Sequence, residues 1–163
     1  MLNSLETLFA PWQQLYGDSA VVSIAITALH LTGMLIGGGL AIAADRASLR
    51  ITGEKPGERE RHLGELNAIH RPVLLALSLL FATGVLMVAS DVKTFLGSPI
   101  LWIKLALVAL LVVNGVILER TETRLRSADS PNELWGRLRL AAICSITLWI
   151  ATLVVGTTLV SAA

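Results

Sequence analysis

Four apolar runs dominate the chain, over about residues 19–44, 72–90, 99–118 and 140–160, and turn residues and mixed charge separate them. A bilayer core needs roughly 20 apolar residues per helix. The pattern therefore predicts an all-α integral membrane protein, an antiparallel four-helix bundle forming a single domain over residues 19–163. The first run is longer than a bilayer requires, so tilt or a protruding end is expected. Pro72 suits the first turn of the second helix. Glu58 to Asn67 also reads as helical, and on that reading the helix starts earlier and Pro72 kinks it. Ahead of the runs, Leu2, Leu5, Leu8, Phe9, Trp12, Leu15 and Tyr16 recur at helical spacing. Residues 1–18 are expected to form an amphipathic segment on the outer face, broken near Pro11 and lying in the interface.

Composition agrees. The chain is 54% hydrophobic and only 15% charged, against about a quarter charged in soluble domains. A net charge of +1 offers nothing to nucleic acid, and a lone Cys144 makes no internal disulfide. Of the 13 Lys and Arg, six lie in 45–71 and five in 119–139. The positive-inside rule then places both long connections in the cytoplasm and both termini outside. The inner membrane of a bacterium is the expected location. No cleavable signal peptide is expected ahead of the first run. No phosphate-binding loop and no hydrolase triad occur. Mixed runs such as Glu58-Arg59-Glu60-Arg61 read as solvated helix extensions.

Two ionisable residues sit at membrane depth, where they are costly and mark function. His30 lies about 16 Å along the first helix, near the midplane. It is a candidate haem or copper ligand, or a contact for a proton or a quinone; the bland alternative is a neutral imidazole bonded to Thr147, Thr152 or Asn114. Gly33 and Gly37 share its helix face and make a groove for a neighbouring helix or a porphyrin edge. Lys104 either snorkels to the outer interface or meets a ligand carboxylate such as a haem propionate. His70 is a candidate second ligand, but His30 lies about 21 Å from the inner edge where His70 should sit, and two axial ligands need equal depth. Met34, one turn from His30, and Met87 are candidate copper ligands.

Ala28-Leu29-His30 with its Gly-rich half-helix ending at Asp45-Arg46, then Thr83-Gly84, then Gly97-Ser98-Pro99-Ile100-Leu101-Trp102-Ile103-Lys104-Leu105, resemble the bacterial copper-resistance CopD domain. More distantly, the pattern is similar to the HemJ type of protoporphyrinogen oxidase. The resemblance spans roughly residues 25–120 and implies haem b near His30, with Arg46 and Lys104 as partners of its propionates. The expected function is a haem-b-binding membrane protein in electron transfer or haem chemistry. Copper handling through His30, Met34 and Met87 is one alternative, and a structural anchor in a larger complex is another. The expected partners are the lipid bilayer, a membrane redox partner or quinone, and further copies or subunits.

Overall fold

The computed structural model describes residues 2–51, 57–126 and 132–162. Among them the chain is helical almost throughout, with no strand. The helices are α1 (Leu2–Asp18), α2 (Ala20–Arg50), α3 (Glu58–Ser90), α4 (Val92–Gly97), α5 (Pro99–Arg126) and α6 (Asn132–Ala162). α2, α3, α5 and α6 are each long and apolar enough to cross a membrane. The stretch 52–56 ahead of α3 lies outside the described residues. Gly57, which follows it, sits at φ 78°, a backbone region that favours glycine, and opens α3.

Helix limits follow local chemistry. The Ser19 hydroxyl accepts from the Val22 amide and caps α2. Asp91 breaks α3 from α4 and accepts from the Thr94 amide at 3.1 Å. Two expectations are corrected. α1 is not broken at Pro11 but runs unbroken through it. α3 does not start at Pro72 but about four turns earlier, as the alternative reading had it, so the proline is internal. α1 also does more than lie in an interface: it packs on α2, α3 and α4, and the Trp12 indole donates to the Leu86 carbonyl at 2.9 Å.

The bundle is ordered α3–α2–α6–α5, with the α2/α3 and α5/α6 hairpins joined by α2 against α6. α3 and α5 touch least of the neighbouring pairs. Two polar contacts close their seam at the end that bears the long connections. Arg126 donates to the Leu63 carbonyl, and Glu122 faces His70. We call this the basic end. The helices extend past their apolar runs here: α2, of 31 residues, is about 46 Å long, some 16 Å more than a hydrocarbon core. The extensions pack on one another through Ala44, Leu63, Leu66, Leu125, Trp135 and Leu138. The mixed charge of these segments thus covers a small apolar core.

Elsewhere the apolar residues face outward. Val21 is 78% exposed, Leu35 77% and Phe81 72%. Such a belt of aliphatic surface suits hydrocarbon and not water. Cys144 is on this outer surface rather than inside.

Candidate functional site

All four long helices contribute to a polar cluster in the half of the bundle that bears the termini. His30 of α2 is buried beside Thr83 of α3, with Nδ1 2.8 Å from the threonine Oγ1. The Thr83 hydroxyl in turn donates to the Leu79 carbonyl at 2.7 Å, with Leu80 oxygen at 3.2 Å. A hydroxyl has one hydrogen. With that hydrogen spent on the backbone, Thr83 accepts from His30, so the imidazole carries its proton on Nδ1. Nε2 is left with its lone pair. The ring lies against α3 at Gly84, where a Cβ would stand at an ordinary contact distance of 3.6 Å from His30 Cε1.

Lys104 of α5 is half-buried and turned inward. Its Nζ lies over Gly156 of α6, 3.3 Å from where a Cβ would be, and its charge is felt at His30. Among the two sequence readings of Lys104, this geometry is an ammonium held inside the bundle. One turn before Gly156, on the same face of α6, Thr152 is buried and its hydroxyl oxygen has no partner. A neutral acceptor nitrogen, a donating ammonium and an open hydroxyl therefore share one apolar interior.

The other site residues fall elsewhere. Gly33 and Gly37 are buried, and their groove receives protein. A Cβ at Gly33 would meet Leu80 at 3.2 Å, and one at Gly37 would meet the Ala76 Cβ at 2.9 Å. Trp149 of α6 lies on Gly38. Met34 is half-buried one turn from His30. Arg46 is exposed, in a cleft of about 470 Å³ between α2 and α3 at the basic end, with Arg50, Arg61, His62 and Glu65. His70 is 13 residues from Thr83, hence about 20 Å from His30's level along α3. Its Nδ1–H donates to the Leu66 carbonyl at 2.9 Å, and Nε2 faces Glu122 at 3.8 Å.

A haem b clamped between His30 and His70 does not fit this arrangement. The two rings lie about 20 Å apart along the bundle, and Ala76, Leu79, Leu80 and Trp149 occupy the groove a porphyrin would need. Copper at His30 and Met34 would bring a cation toward the Lys104 ammonium, which Coulomb repulsion opposes.

Five polar groups have roles that the sequence reading did not give them. Thr83 was visible as a polar position in α3, but not as the partner of His30. Asp45 and Glu122 look like boundary charges yet are 5% exposed each. His62, which follows the mixed-charge run 58–61, is buried and bonded to Ser48 at 3.0 Å. Asn114 donates to the Ala141 carbonyl at 3.0 Å and joins α5 to α6.

Comparison of the chain with protein-family models, with curated proteins and with solved structures finds no match to any of them.

Proposed function

We propose that this chain is an inner-membrane protein of bacterial type, with both termini outside, that works in membrane electron transfer by binding a lipid-soluble quinone-type redox carrier. His30, Lys104 and Thr152 form the headgroup site. The observation that carries this reading is the Leu79–Thr83–His30 hydrogen-bond chain, which presents Nε2 as an acceptor, with the Lys104 ammonium in the same interior. A quinone carbonyl accepts from the ammonium. The hydroxyl of the reduced form donates to Nε2. Neither group is served by hydrocarbon, so their joint placement at membrane depth calls for a polar head on an apolar molecule. The sparse seam between α3 and α5 offers such a molecule entry from the lipid.

The test is binding of a short-chain quinone analogue to the purified protein in nanodiscs, read by quenching of tryptophan fluorescence. A hydrogen bond to a charged donor is worth about 1.5–3 kcal/mol, so Lys104→Met should weaken binding roughly ten- to a hundredfold. His30→Ala should do the same. Equal affinity in both variants and the parent sinks the reading. An optical spectrum of the same sample separates the alternatives. A reducible Soret band lost in His30→Ala would replace the quinone with haem b. Stoichiometric copper without that band would favour copper handling. No ligand of any kind would leave an anchoring subunit.

A further inference from the structure

The basic end of the bundle buries a second ionisable cluster, again built from every long helix. Asp45 of α2 and Glu122 of α5 are each 5% exposed. His70 of α3 turns Nε2 on the Glu122 Oε2 at 3.8 Å. Ser145 of α6 is buried and faces Asp45. The charged groups acting on Glu122 are His70, then Arg126 of the next turn, then Asp45 across the bundle and Glu119 on its own helix.

Three features of this geometry bear on where a proton goes. The Leu66 carbonyl can only accept, so His70 Nδ1 keeps its hydrogen and Nε2 is the nitrogen turned on Glu122. An unprotonated Nε2 and an ionised carboxylate would then face each other lone pair to lone pair. A proton on one or the other turns that repulsion into attraction. Second, Asp45 and Glu122 are both buried, and the Asp45 charge acts on Glu122, so ionising both is costly. Arg126 offsets this only in part, because it is exposed and donates to the Leu63 carbonyl. Third, the Asp45 Oδ2 is buried with no hydrogen-bond partner. It is an acceptor turned into the interior and left open. The open cleft lined by Ala43, Arg46, Ala47 and His62 reaches the turn of α2 that carries Asp45.

We propose that Asp45, His70 and Glu122 form a buried proton-binding site at the basic end of the bundle, holding one exchangeable proton on the carboxyls at neutral pH. Under the topology above, that end faces the cytoplasm. The proton passes between Glu122 and His70 Nε2, and Asp45 is the second carboxyl able to hold it. The site lies about 22 Å from His30 along α2, and it stands whether or not a quinone binds there.

Infrared spectroscopy of the full chain in liposomes tests it. The expected result at neutral pH is a protonated-carboxyl stretch that shifts in D2O. It should weaken or vanish in Glu122→Gln or Asp45→Asn, and His70→Gln should move the pH at which it disappears. Carboxyl-13C labelling of glutamate or aspartate in the unmutated chain assigns the band even if a variant does not fold. The proposal is overturned if the parent shows no deuterium-sensitive protonated carboxyl at neutral pH. It is equally overturned if the band ignores both labels, or if His70→Gln leaves its pH dependence unchanged. Quinone binding is not measured here, so failure of either idea is visible on its own.

Discussion

Thr83, together with the Leu80 carbonyl that also bonds the ring, sets which nitrogen of His30 is free. Its hydroxyl hydrogen is committed to the backbone of its own helix, so the oxygen is an acceptor only. Thr83→Val keeps the shape and removes that acceptor. We expect 15N spectra of the labelled imidazole to show Nδ1 protonated in the parent and in Thr83→Ser, and a mixture of tautomers in Thr83→Val. An unchanged spectrum in Thr83→Val would mean another group orients the ring. The loss in stability should be small, about 0.6 kcal/mol and at most about 1.7, as for hydrogen bonds between membrane helices generally. Asn114→Leu, which cuts the bond to the Ala141 carbonyl, should cost a similar amount in a thermal unfolding series and leave ligand binding intact.

Among the elements, α2 shows what the glycine-rich stretch is for. Gly37 and Gly39 are two residues apart in sequence and opposite in consequence. A methyl at Gly37 would enter the Ala76 Cβ of α3 at 2.9 Å, while one at Gly39 meets nothing within 4 Å. Gly37→Ala must push α2 and α3 apart and should lower the unfolding midpoint by several degrees in detergent, an overpacking cost of about 1–3 kcal/mol. Gly39→Ala should be neutral or mildly stabilising, by up to about 1 kcal/mol of helix propensity. Equal effects would refute this packing. α1 is fixed by a different device. Trp12→Phe keeps the ring but loses the bond to the Leu86 carbonyl, and hydrogen exchange of the α1 amides should quicken while α3 and α5 stay protected.

At the scale of the whole molecule, the bundle is polar inside at two levels and apolar outside. The arrangement inverts the pattern of a soluble helix bundle, as hydrocarbon surroundings would require. Reporter fusions test the orientation: fusions after Ala163 should score external, and fusions in the 119–139 connection cytoplasmic. A cytoplasmic C-terminus would reverse the assignment of the proton site to the cytoplasmic side, without altering its chemistry. The extensions of α2, α3, α5 and α6 past the apolar runs give the basic end a core of its own, with Leu138 fully buried. Leu138→Ala should therefore cost about 2–5 kcal/mol, far more than an alanine at the exposed Leu35, and thermal unfolding of the two variants measures the difference.

The sequence by itself determined the class and the count. Four apolar runs of bilayer length can satisfy their backbone groups in hydrocarbon only as helices, and basic residues gathered in two connections mark one end. It also determined His30, because an imidazole in the middle of such a run is legible without coordinates. Helix ends were less legible. Apolar length marks the hydrocarbon boundary, whereas α2, α3, α5 and α6 continue through charged residues whose far face is packed on Leu63, Leu66 and Trp135. For the same reason Asp45, Glu122 and His62 read as solvated charges, although partner helices cover them. Only tertiary structure decided the rest. It set His30 against Thr83, turned Lys104 inward over Gly156, and filled the Gly33–Gly37 groove with α3. It also held His70 about 20 Å from His30's level. Each of these depends on the register of one helix against another, and that register is fixed by contacts between residues far apart in the chain.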